Sequence, residues 1–198
     1  MDRATPPRPK GTPVKTLVAR TVTASLALRK LYFVRFAFAA VWAALLFATA
    51  SALGPLSVTL LVIYPLFDVT AAIVDVRTAR TKGGAVTGLY INIVISSLAG
   101  IGLAVAVTSG IPAVLRVWGL WAITAGLVQL AVGVIRRRLG GQWPMIASGA
   151  ISAAAGTSFI AQAGKGNASL GSLAGYAFLG GVFFLISALR LKGADGEG

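Results

Sequence analysis

The sequence predicts an all-α, polytopic membrane protein with six transmembrane helices and both termini on the cytoplasmic side. Two observations predict this fold class: six long apolar runs, and positive charge placed between alternate runs. A helix of about 20 residues crosses the hydrocarbon core of a bilayer, which is about 30 Å thick. The six runs cover residues 31–52, 56–76, 86–108, 113–135, 143–163 and 169–189.

Composition leaves little room for a separate soluble domain. Of the 198 residues, 57% are hydrophobic and 12% are charged. Residues 1–30 are predicted to form a basic, proline-rich and partly disordered cytoplasmic tail, residues 31–191 the membrane domain, and residues 192–198 a short second tail. Within the first tail, residues 14–30 carry apolar side chains at helical spacing, which fits either a helix lying on the anionic cytoplasmic leaflet or a solvated linker.

The distribution of cations predicts the orientation. The chain has 18 Lys and Arg residues against 5 acidic residues, a formal net charge of +13. All but Arg35, Arg116 and Lys165 lie in the N-terminal tail or follow the second, fourth and sixth runs, and Arg35 lies just inside the first run. Because cytoplasmic segments carry the excess of Lys and Arg, both termini are predicted to be cytoplasmic.

The same distribution bears on partners. The cations interrupt membrane spans and do not form a surface patch, so nucleic acid is not an expected partner. The expected partners are the lipid bilayer and, at the cytoplasmic face, its anionic headgroups. The sequence leaves a homo-oligomer open.

The spans group into three predicted helical hairpins that look like repeats, at about residues 31–82, 86–138 and 143–191. Tyr64 in the second span is matched by Trp121 in the fourth and by Tyr176 in the sixth, at intervals of 57 and 55 residues. Each unit has an even number of spans, so the copies insert in the same orientation. This predicts a pseudo-threefold axis along the membrane normal.

Catalytic chemistry has little support in the composition. The chain has no His and no Cys, which excludes Ser–His hydrolysis, His- or Cys-ligated zinc and thiol chemistry. Five acidic residues, three of them in the tails, are too few for a carboxylate-held magnesium site. We therefore expect no enzyme activity, no catalytic residue, no cofactor and no metal.

Three charged residues are the candidate functional groups. Asp68 and Asp75 are seven residues apart, so on a helix they share one face about 10 Å apart along the axis. Asp68 lies nearer mid-span, where an ionised carboxylate is expensive; it is protonated, paired with Arg35, or part of a proton path. Asp75 lies near the cytoplasmic boundary and is either a solvated interfacial charge or a partner of Arg35.

Other polar and small residues in the spans are interpreted structurally. Asn92 is expected to form an interhelical hydrogen bond, and Trp118 and Trp121 to anchor the chain at the headgroup level. Ser152 and Gly156 belong to a ridge of small residues in the fifth span, which predicts close helix packing.

Several of these features resemble the HdeD-like family of short-repeat bacterial membrane proteins, over residues 31–191. The matching features are Arg35 at the start of span one, the steps Asp68-Val69, Ala125-Gly126 and Gly180-Gly181, and the stretch Arg136-Arg137-Arg138 followed by Trp143, Gly149 and Gly156. The chain departs from the family pattern at Phe36 and Val69, where Gly is typical, and no Pro precedes span six.

The resemblance implies a bacterial inner-membrane protein associated with acid or envelope stress tolerance, and the family supplies no molecular mechanism. Our leading hypothesis is such a protein without catalytic machinery. One alternative is a small proton or solute transporter or channel that uses Asp68. Another is a membrane scaffold that recruits a partner through the basic tail, residues 1–30.

Overall fold

The protein is all-helical in the computed structural model, which describes residues 14–81, 86–135, 137–139 and 143–190. The described residues form six α-helices and two short 3-10 turns. The helices are α1 (Val14–Ala48), α2 (Pro55–Thr81), α3 (Thr87–Ala106), α4 (Ile111–Ile135), α5 (Trp143–Gln162) and α6 (Gly171–Arg190). The predicted C-terminal tail, residues 192–198, and the first thirteen residues lie outside the described residues.

Each of the six helices contains a segment long and apolar enough to cross a membrane. This confirms the predicted class, a multi-pass membrane protein. Proline and glycine set some of the ends. Pro55 is the first residue of α2, where its missing N–H has no helical partner to lose. Gly110 joins α3 to α4 with a φ of +89°, a conformation that favours glycine.

The first helix is longer than the span it contains. Its apolar segment covers Arg29–Ala48, whereas the helix itself begins at Val14. Residues 14–30 are therefore helical and continuous with the first span. Their contact with the anionic leaflet stays a prediction.

Helix packing links the two ends of the chain. The most extensive contacts join α4 to α5, α1 to α6 and α2 to α3, followed by α3 to α4. Contacts between α1 and α2 are fewer, and those between α5 and α6 are sparse. The closest pairs therefore lie between the predicted hairpins and not within them.

Glycines explain why α4 and α5 are the closest pair. Gly119 on α4 faces Gly156 on α5, and Gly126 faces Gly149, whereas Gly133 faces Ile146. Within each helix these glycines recur every seven residues. A methyl group at Gly126 would lie 2.7 Å from the carbonyl oxygen of Gly149, so the two backbones are in direct contact. Small residues allow this approach in lipid, as expected from the ridge in span five.

Aromatic side chains fill the centre of the bundle. Trp42 and Trp118 are fully buried and stack with their ring centroids 5.3 Å apart. Trp42 also donates a hydrogen bond to the carbonyl oxygen of Leu60. The prediction that Trp118 anchors the chain at the headgroups is wrong, because its face of α4 packs inward.

Candidate functional site

The three predicted charged residues meet in one place, which we call the charge cluster: Arg35 on α1, and Asp68 and Asp75 on α2. One guanidinium nitrogen of Arg35 pairs with Oδ1 of Asp68, and the other lies 3.4 Å from Oδ2 of Asp75. The side chains are only 12%, 14% and 15% exposed, so the protein itself surrounds most of each charge. The two-turn spacing of the aspartates lets one arginine reach both.

The cluster lies within the membrane-spanning segments. Asp68 is twelve residues from the end of the α2 span at Arg80, or about 18 Å along the axis. Asp75 is five residues from the same end, about 8 Å. Arg35 is six residues from the start of the α1 span at Arg29, about 9 Å. Asp68 is thus the deepest of the three charges.

Helix α3 completes the coordination of Asp68. The side-chain amide of Asn92 donates to Oδ2 of Asp68 at 2.8 Å, and the hydroxyl of Ser96 donates to the same oxygen at 2.9 Å. Asn92 and Ser96 are four residues apart and therefore lie on one face of the helix. Both oxygens of Asp68 are occupied by donors, which is the arrangement that stabilises an ionised carboxylate.

Asp75 is held much more loosely. Its one hydrogen-bond partner among the described residues is Arg35, at 3.4 Å. Charge-assisted bonds from a guanidinium to a carboxylate are typically about 2.7–2.9 Å long. The two aspartates therefore occupy different chemical environments.

Helix α6 contributes to the cluster through an aromatic ring. The guanidinium carbon of Arg35 lies 4.2 Å from the ring centroid of Phe184, within the range of a cation–π interaction. Tyr32, one helical turn from Arg35, also contacts Phe184 at 5.8 Å between ring centroids. Arg35 is thus fixed by α2 on one side and by α6 on the other. Nothing in the sequence singles out Phe184, because it is one of many aromatic residues in the apolar runs.

The polar network extends to α4 through Ser96. The indole nitrogen of Trp121 donates to the hydroxyl of Ser96 at 3.2 Å, and Ser96 is fully buried. Trp121 therefore takes part in the interior network, contrary to its prediction as a headgroup anchor. Asn92, in contrast, forms the interhelical bond expected of it.

The three aromatics of the predicted repeat converge beside this network. The rings of Tyr64 and Trp121 meet edge to face with centroids 6.1 Å apart. Tyr176 lies within electrostatic range of Tyr64 and Asp68, and its hydroxyl donates to Ser152 on α5 at 2.9 Å. All six helices therefore contribute side chains to one interior region.

Two cavities have no residue of the charge cluster in their lining. One, of about 470 Å³, is lined by α1 residues between Leu26 and Ala37. The other, of about 210 Å³, is lined by residues between Gln162 and Ser172, in the connection from α5 to α6 and the first turn of α6. Among the described residues, no group of three or more His, Cys, Asp or Glu side chains could hold a metal ion.

Comparisons with protein families, with curated protein sequences and with solved structures found no match for this chain. What can be said of its class follows from the fold and the site: it is a multi-pass helical membrane protein with a buried charge cluster. The resemblance to the HdeD-like family stays a prediction that depends on the residues quoted for it.

Proposed function

We propose that this chain is a bacterial inner-membrane protein without enzymatic activity that supports tolerance to acid or envelope stress. The stress role depends on the resemblance to the HdeD-like family, and the lack of enzymatic activity is supported by the saturation of Asp68. This carboxylate is bound by Arg35, Asn92 and Ser96. A carboxylate that is occupied in this way offers neither a free nucleophile nor a free base for a reaction.

The proposed topology has both termini in the cytoplasm and three helical hairpins about a pseudo-threefold axis. The charge distribution along the sequence supports the orientation. The convergence of Tyr64, Trp121 and Tyr176 supports the repeat, because equivalent residues of three hairpins about one axis approach each other at its centre. The pairing of α4 with α5 and of α1 with α6 supports a closed bundle.

The alternative of transport through Asp68 has less support from the geometry. A carboxylate that carries a proton or a cation across the membrane must exchange partners, and water-filled access usually accompanies such a residue. Asp68 has donors on both oxygens, and no cluster residue is among the described residues that line the two cavities.

A survival assay and a flux assay together test the proposal. We expect a strain lacking the gene to survive acid or envelope challenge less well, and the wild-type gene to restore survival. Purified protein in proteoliposomes should conduct no more protons than empty vesicles. Unchanged survival would contradict the stress role. Proton flux that Asp68→Asn abolishes would establish the transport alternative instead.

A further inference from the structure

The charge cluster is not electrically balanced. It contains one guanidinium and two carboxylates, so with both aspartates ionised it carries one excess negative charge. The charged and titratable groups that face Asp75 among the described residues are Arg35 and Tyr32 on α1 and Asp68 on its own helix. Helix α3 also packs on α2, but its Tyr90 lies beneath Arg80, with 5.4 Å from the guanidinium carbon to the ring centroid.

An unbalanced charge in this position is unfavourable. The side chains of the cluster are at most 15% exposed and lie inside membrane-spanning segments. Uncompensated charge in such surroundings is strongly unfavourable, and carboxylates respond by taking up a proton. One proton on either aspartate makes the cluster neutral.

The hydrogen bonds decide which aspartate takes the proton. Asp68 accepts three bonds from donors, and each of them stabilises its ionised form. Asp75 has one long contact, with Arg35, so its protonation weakens a single loose interaction. Asp75 also lies nearer the end of its span, about 8 Å from it, and is therefore closer to water.

We propose that Asp75 is a proton-binding site, with Arg35 as its counter-charge and Asp68 as the carboxylate whose two oxygens are already held by donors. Water on the side of Arg80 supplies the proton, which adds to a carboxylate oxygen of Asp75 and returns to water on release. Protonation removes the ionic interaction between Asp75 and Arg35, so Arg35 then pairs with Asp68 alone. A proton path at Asp68 was one of the alternatives that the sequence left open, and the geometry favours Asp75, two helical turns closer to the end of the span.

Infrared spectroscopy during a pH titration can test this directly, because the chain has no His or Cys and only five acidic residues. A background variant with Asp2→Asn, Asp195→Asn and Glu197→Gln leaves Asp68 and Asp75 as its only acidic side chains. Besides the band of the C-terminal carboxyl group, we expect one carbonyl band of a protonated side chain to appear reversibly as the pH falls. Asp75→Asn should remove this band.

Two further variants show which aspartate gives the band, and both keep a carboxyl group beside Arg35. Asp75→Glu, made with aspartate labelled with the heavy carbon isotope, should show a band that no longer shifts with the label. In Asp68→Asn the cluster has one charge of each sign, so Asp75 should hold its proton less tightly and the band should appear only at lower pH. This sign follows from removal of the neighbouring negative charge.

The opposite pattern would overturn the proposal. An isotope-sensitive band that persists in Asp75→Glu and disappears in Asp68→Asn would assign the proton to Asp68. The absence of any band from a protonated side chain while the protein remains folded would show that both aspartates stay ionised. Neither result depends on the survival assay, so the failure of the stress role and the failure of this site are distinguishable.

Discussion

Arg35 is the single side chain that holds the charge cluster together. It contacts both aspartates of α2 and the ring of Phe184 on α6. Without it, two carboxylates about two helical turns apart would have no cation between them. A buried ion pair adds little net stability compared with an apolar pair, but removing one partner leaves an uncompensated charge.

We therefore predict that Arg35→Ala destabilises the protein strongly. Removal of one partner from a buried pair typically costs about 3–5 kcal/mol, which unfolding in detergent by heat or denaturant would measure. The stability of Arg35→Lys should lie between those of the wild type and Arg35→Ala. Lysine keeps the charge but cannot bond both aspartates with a planar fork. The matched control is Arg116→Ala, at an exposed arginine on α4. Equal losses in Arg35→Ala and Arg116→Ala would contradict the structural role of Arg35.

At the residue scale, the sequence predicted which groups matter better than it predicted what surrounds them. Arg35, Asp68 and Asp75 stand out because charges in apolar runs are rare. The role of Ser96 could not be predicted, because a serine that packs closely and one that bonds a carboxylate look alike in sequence. Asn92 offered one signal: it is 57 residues from Arg35, the interval that separates Tyr64 and Trp121. Both Arg35 and Asn92 bond to Asp68.

At the scale of elements, the seam between α4 and α5 depends on the absence of side chains. A methyl group at Gly126 would lie 2.7 Å from the carbonyl oxygen of Gly149 and 2.9 Å from the backbone nitrogen of Ala153. Backbone atoms cannot move aside as the end of a flexible side chain can. The two helices would have to separate, and the contacts along the whole seam would weaken together.

We predict that Gly126→Ala destabilises the bundle by about 1–3 kcal/mol, the range for overpacking a close interface. The matched control is Gly180→Ala on α6, where no atom lies within 4 Å of the added methyl group. That control should be neutral or stabilising by up to about 1 kcal/mol, because alanine favours a helix over glycine. Thermal unfolding of both variants in the same detergent provides the comparison. A Gly126→Ala protein as stable as Gly180→Ala would contradict the backbone contact.

The boundaries of the spans followed closely from the sequence, whereas the packing partners of the helices did not. The apolar runs predicted each span to within a few residues, because the length needed to cross a bilayer is fixed. Only the structure shows that the closest pairs are α4 with α5, α1 with α6 and α2 with α3. Helix contacts in lipid depend on which faces meet, and those faces are chosen by all six helices together.

At the scale of the whole molecule, the proposed topology makes a prediction about access. The chain contains no cysteine, so single introduced thiols report their own positions. Ser109→Cys and Gly166→Cys, both exposed and in the connections after α3 and α5, should react with a membrane-impermeant thiol reagent from outside the cell. Thr87→Cys, at the exposed start of α3, is the control and should react only after the membrane is permeabilised.

The reverse labelling pattern would show that the protein has the opposite orientation in the membrane. Labelling of Ser109→Cys and Gly166→Cys from different sides would contradict the six-span arrangement itself. Either result would also change the side from which a proton reaches Asp75. The accessibility of these thiols therefore tests the topology independently of any activity.

By itself, the sequence determined that the chain is a helical membrane protein, because a bilayer demands long apolar helices and each run meets that demand alone. It also singled out the charged residues, since such groups are costly among apolar neighbours. Only the tertiary structure decided that Asp68 is saturated by donors from two other helices while Asp75 is not. Those donors are far away in sequence, and the difference between two similar aspartates arises only when α1 and α3 pack against α2.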